Sequence, residues 1–160
     1  MKRFISFINP WKYATDEGYQ LVHSLYAIGT GGLFGVGLGN SKQKALYMPE
    51  PHNDFIFAII CEELGLIGAI IIISVFLVLI VAGINVAMRA KDKYGRLLAT
   101  GIISVIAVQV VINIAVVTGS MPVTGVPLPF ISYGGSSLVI NMIFMGILLN
   151  ITRQNNQKKS

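Results

Sequence analysis

The chain has 160 residues, 54% of them hydrophobic and only 12% charged, with a formal net charge of +5. Soluble domains carry about a quarter charged residues, so this composition, with a mean hydropathy of +0.71, excludes a water-coated globule. It also excludes a nucleic-acid binder, because the basic residues flank apolar runs and do not interleave with aromatic residues on one surface. Cys61 is the sole cysteine, which rules out an intrachain disulfide.

In chain order, residues 1–54 are expected to form one region of short helices and loops. The start, residues 1–11, is basic, but its apolar run is too short for a signal-peptide core. Residues 21–40, LVHSLYAIGTGGLFGVGLGN, have His23 as their only ionisable side chain. Their glycines, Gly29, Gly31, Gly32, Gly35, Gly37 and Gly39, each weaken a helix by about 1 kcal/mol against alanine. The pattern predicts a short helix followed by a glycine-rich loop at the outer interface, with a fourth span as the alternative. Irregular backbone at that depth must be buried in protein or line a wet cavity, and either suits a substrate site.

Residues 55–153 are expected to hold three transmembrane helices, and residues 154–160 a polar tail. A bilayer span needs about 20 apolar residues. Residues 64–88 and 97–117 meet that requirement without a single charge. The third apolar core, residues 138–151, reaches full span only if residues 132–137 join it. The turn RAKDKYGR, residues 89–96, and the tail with Arg153, Lys158 and Lys159 carry seven of the 12 basic residues. The positive-inside rule puts that side in the cytoplasm, so residues 1–54 and 118–134 face outward. The fold class is all-α: a polytopic membrane protein with a large outer loop region.

Charge is most informative where the membrane makes it costly. Glu50, Asp54, Glu62 and Glu63 gather around the outer end of the first span. On one helix Asp54 and Glu62 would lie about 80° apart and roughly 12 Å apart along the axis, too far to act as a close carboxylate pair. Glu62 and Glu63, about two turns deeper, read most simply as carboxylates paired with a basic group or bonded to backbone amides. Asp54 stands before FIFAII, where it can cap the following helix or serve in catalysis. His52 and Asp54 offer two metal ligands without a third, which does not make a zinc site.

The segment MPVTGVPLPFISYGGSS, residues 121–137, reads as a rigid re-entrant turn between spans. Alternatively it walls an outer cavity, with Ser132, Tyr133 and Ser136 supplying hydrogen bonds to substrate. Gln109 and Asn113 share a helix face and are expected to bond across the bundle. Lys42 and Lys44 are either solvated interface lysines or counter-charges for a pyrophosphate.

Several blocks together carry a resemblance: NPW at 9–11, GYQL at 18–21, GGLFGVGLGNSKQK at 31–44, MPEPHNDFIFAIICEELGLIG at 48–68 and PLPFISYGGSS at 127–137. They resemble the SEDS family of FtsW, RodA and SpoVE, the FtsW and SpoVE branches most closely, over nearly the whole chain. Pro51 and Asn53 stand where many members have Ala and Thr. The resemblance implies a peptidoglycan glycosyltransferase that polymerises lipid II outside the bacterial cytoplasmic membrane, beside a class B penicillin-binding transpeptidase. It implies that Asp54 is the essential aspartate and that Glu50 and His52 belong to its motif. SEDS proteins have many more transmembrane helices than this, so the resemblance also implies a missing N-terminal half, as in a fragment or a split gene.

On this reading Asp54 is the base for an inverting transfer. Lys42 and Lys44, with or without a divalent cation, offset the leaving-group charge. A lipid II transporter is the rival function, favoured by Glu62 and Glu63 but not by the charge-free later spans. A fragment that only binds partners is the third reading.

Overall fold

The computed structural model describes residues 19–37, 39 and 54–157. Lys42, Lys44, Glu50 and His52 lie outside the described residues. Among those described there are four helices and no strand: α1 (Tyr19–Gly31), α2 (Ile56–Arg89), α3 (Lys93–Val117) and α4 (Gly135–Gln157). The last three are long and apolar enough to cross a membrane. The sequence-based spans fall inside them, with α2 starting earlier than residue 64 and α4 starting at Gly135. That early start supplies the length the third apolar core lacked. The helix α4 also runs on through Arg153 to Gln157, so the polar tail begins within the helix.

The expected short helix and glycine loop are both present. The 13 described residues of α1 rise about 20 Å, and the helix gives way to the glycine loop after Gly31. Leu21, Ser24, Ala27 and Gly31 are buried, and their spacing of three and four places them on one helix face. That face packs along α2 and touches α3 more lightly. The Ser24 hydroxyl donates to the Leu21 carbonyl at 2.8 Å and to the Val117 carbonyl at 3.1 Å. It thereby serves one of the last carbonyls of α3, which have no partner within their own helix.

The hairpin of α2 and α3 is the centre of the packing. Its turn is set by Asp92, whose carboxylate caps α3 by accepting from the Gly95 N–H. The one acid of the basic turn therefore has a local structural use. Asp92→Ala is expected to cost about 1 kcal/mol, read as a lower melting temperature of the purified chain in detergent.

Two apolar clusters lie at opposite ends of the hairpin. One joins Phe55, Phe57, Phe76, Val110, Val117 and Leu128 near the 118–134 loop. The other joins Ala87, Ala99, Ile102, Ile106, Leu148 and Ile151 near the basic turn, and it seats the C-terminal half of α4. The outer faces of α2 and α4 expose Ile70, Val78, Ile140 and Met142. In a span, such faces meet lipid tails instead of water.

Candidate active site

Asp54 lies where three segments meet. It stands one residue before Phe55, which by backbone geometry is the N-cap residue of α2 and whose side chain makes no capping bond. The buried Asn113 of α3, 1% exposed, reaches across the bundle. Its Nδ2 donates at 2.8 Å to the backbone carbonyl of Asp54 and at 2.8 Å to that of Val126. One amide thus ties the start of α2 to the 118–134 loop. The Cβ that Gly125 lacks would sit 3.4 Å from an Asp54 carboxylate oxygen, and Gly125 has a left-handed φ of 73°. The carboxylate therefore lies against the loop at Gly125.

The loop is rigid for a local reason. Thr118 ends α3, its N–H and hydroxyl both donating to the Ile114 carbonyl. Further on, the Ser132 N–H donates to the Leu128 carbonyl at 3.1 Å, and the Leu128 N–H donates to the Ser132 hydroxyl at 2.7 Å. This closed pair holds Phe130 at a φ of 65°, a conformation bulky residues rarely adopt. Leu128 and Pro129 are buried beneath it.

Of the residues expected to meet substrate, Ser132 is buried and its hydroxyl serves its own loop. Tyr133 is 83% exposed, and Ser136 is exposed at the start of α4. The expected shared face of Gln109 and Asn113 holds a cross-bundle bond from Asn113. The Oδ1 of Asn113 and the Oε1 of Gln109 are buried acceptors without a hydrogen bond among the described residues. No group of three His, Cys, Asp or Glu side chains suited to a metal occurs among them.

Asn113→Leu removes two bonds and leaves two carbonyls stranded. It is expected to cost about 2–4 kcal/mol and to increase chymotrypsin cleavage after Phe130 and Tyr133 of the 118–134 loop. Cleavage and melting unchanged from wild type would show that the clamp is dispensable.

Below Asp54, α2 is broken. Gly65 has φ 68° and ψ −163°, outside any helix. In an unbroken helix the Leu66 and Ile67 N–H groups would bond to the Glu62 and Glu63 carbonyls. All four groups bond instead to the glycine loop after α1. Leu66 N–H donates to the Gly32 carbonyl at 2.9 Å, and Ile67 N–H to the Leu33 carbonyl at 3.4 Å. The Glu62 and Glu63 carbonyls accept from Val36 N–H at 2.9 Å and Gly37 N–H at 3.1 Å. The glycine loop is thus locked into the helix break, which satisfies backbone that a bilayer cannot. Glu62 is buried and Glu63 half-buried beside this junction, with one Glu63 carboxylate oxygen lacking a hydrogen bond among the described residues.

The family model for FtsW, RodA and SpoVE, described as "Cell cycle protein", matches residues 1–157. Stage V sporulation protein E of Bacillus subtilis is 56% identical over 153 residues, covering 96% of this chain and 42% of that protein. A probable peptidoglycan glycosyltransferase FtsW of Geobacter metallireducens is 48% identical, covering 94% of this chain and 40% of its own length. A chain of a solved peptidoglycan synthase complex, described as coordinating polymerization and crosslinking, superposes with a TM-score of 0.78 at 27% identity. That match covers 98% of this chain and 42% of the other. The chain therefore spans about two-fifths of the length of these relatives.

Proposed function

Since this chain belongs to the FtsW/RodA/SpoVE family of cell cycle proteins and is a membrane protein, we propose that it forms the C-terminal part of a peptidoglycan glycosyltransferase. The observation that carries this reading is the Asp54 carboxylate, seated against Gly125 on a loop that Asn113 clamps to the same backbone. A catalytic base must be held in place, and here its main chain is anchored while its side chain faces the loop.

The proposed substrate is lipid II. The acceptor sugar hydroxyl attacks the anomeric carbon of the donor sugar and hands its proton to the Asp54 carboxylate. A β-1,4 glycosidic C–O bond forms as the α-linked C–O bond to the lipid pyrophosphate breaks, and the pyrophosphate leaves with the bonding pair. Lys42 and Lys44 are proposed to offset its charge, with Glu50 and His52 beside the acceptor. A divalent cation would enter on the pyrophosphate itself. Tyr133 and Ser136, both exposed at this end, are available to the sugars. Ser132 would contribute by shaping the loop.

The basic turn at residues 89–96 lies at the opposite end of the hairpin from Asp54, so the positive-inside rule supports an outward-facing Asp54 and a cytoplasmic C-terminus. The likeness to a synthase complex supports a protein partner, for which we propose a class B penicillin-binding transpeptidase.

The test is glycan-chain formation from labelled lipid II by this chain with the N-terminal half supplied in trans. Polymer that disappears with Asp54→Asn supports the assignment. Polymer made equally well by both chains would remove Asp54 from the chemistry, and no polymer from either, beside an active full-length relative, would leave a partner-binding piece.

A further inference from the structure

At the far end of the hairpin from Asp54, the two helices part. The space between them, about 270 Å³, is lined by Ile84, Ala87 and Met88 of α2 and by Arg96, Thr100 and Ile103 of α3. Its walls are apolar except at one end. Ile103 packs on Gly83 so closely that a Cβ there would strike its side chain, which closes the groove toward the bundle centre. The Thr100 hydroxyl is turned to the Arg96 carbonyl, 2.8 Å away.

The other end is basic. Arg96 is exposed, and its guanidinium makes one long bond, 3.4 Å to the Ala90 carbonyl. A guanidinium has five N–H donors, so most of its capacity is open to a ligand among the described residues. Arg89, Lys91 and Lys93 are exposed on the same turn. The only acid there, Asp92, is engaged as the cap of α3. The N-terminal end of α3 adds its own partial positive charge.

We propose that this groove binds an anionic phospholipid of the membrane leaflet on the basic side, such as phosphatidylglycerol. The phosphodiester would meet Arg96 and the neighbouring basic side chains, and an acyl chain would lie in the apolar groove as far as Ile103. Charge complementarity selects this occupant. A zwitterionic lipid brings its own cation to a site already rich in cations, and a purely apolar helix leaves the Arg96 donors unmet. Basic pockets between transmembrane helices bind anionic headgroups in this way. The proposal is independent of the glycosyltransferase reading.

The test uses the chain in phosphatidylcholine nanodiscs doped with phosphatidylglycerol bearing a photoreactive acyl chain, with the crosslinked peptides identified by mass spectrometry. Labelling is expected on α2 and α3 near Met88 and Ile103, competed by unlabelled phosphatidylglycerol and not by phosphatidylcholine. Arg96→Gln is expected to reduce that labelling about fivefold, as the loss of one basic contact implies. Met88→Trp, at a position already 62% exposed, fills the groove without entering the packed core and is expected to cause the same loss. Labelling that both variants leave unchanged, or that phosphatidylcholine competes equally, overturns the proposal. So does loss of labelling when the N-terminal half is supplied, because the groove would then be a helix-packing surface.

Discussion

Gly65→Ala is expected to lower the stability of the purified chain by about 4 kcal/mol or more, at the upper edge of what single substitutions do. Three costs combine. The φ and ψ of Gly65 lie in a region essentially closed to other residues, worth about 1–3 kcal/mol. A Cβ there would collide with the Gly35 nitrogen and lie 2.6 Å from the Leu33 oxygen, so the loop must move off. Moving it strands the Glu62 and Glu63 carbonyls and the Leu66 and Ile67 amides, each about 1–3 kcal/mol if buried without a partner. Gly35→Ala approaches the same junction from the other side, where its Cβ would strike the Glu63 carbonyl. The control is Gly101→Ala on α3, where nothing lies within 4 Å of the new Cβ and about 1 kcal/mol of helix propensity is gained. Melting in detergent should separate the variants clearly. Equal melting of Gly65→Ala and Gly101→Ala would sink the interlock.

Asp54→Asn is expected to leave melting close to wild type while cutting polymerisation in the reconstituted protein by about 10²–10⁴-fold, the usual contribution of a general base. The separation follows from which atoms hold Asp54. Its backbone carbonyl accepts the Asn113 bond, and asparagine keeps that carbonyl. What changes is the charge and the proton acceptor. Asn113→Leu should move both stability and turnover, because it frees the backbone and the loop together. A fall in melting temperature with Asp54→Asn as large as with Asn113→Leu would make Asp54 a structural residue.

Asn113 shows how far sequence reasoning reaches. Its partnership with Gln109 on one helix face followed from a spacing of four, and a bond across the bundle was expected. Its acceptors were not legible, since the Asp54 and Val126 carbonyls are backbone atoms that every residue possesses. Ser132 shows the same limit. A serine beside a Tyr-Gly-Gly run offers a hydroxyl, but that the hydroxyl accepts from the Leu128 N–H of its own loop was not legible in the sequence.

The sequence by itself determined the three long apolar helices, the basic turn between the first two and the short helix before the glycines. Each depends on residues adjacent in the chain: apolar length against bilayer thickness, charge against membrane depth, glycine against helix propensity. Only the tertiary structure decided what the glycines do. Gly35 and Gly65 are far apart in sequence, and neither alone signals a helix break filled by a loop. The break is stable because two segments exchange backbone hydrogen bonds, and backbone donors and acceptors leave no trace in side-chain pattern. The position of Asp54 was decided in the same way. Its neighbour Gly125 and its anchor Asn113 come from other segments, and only the packing of α2 on α3 brings them together.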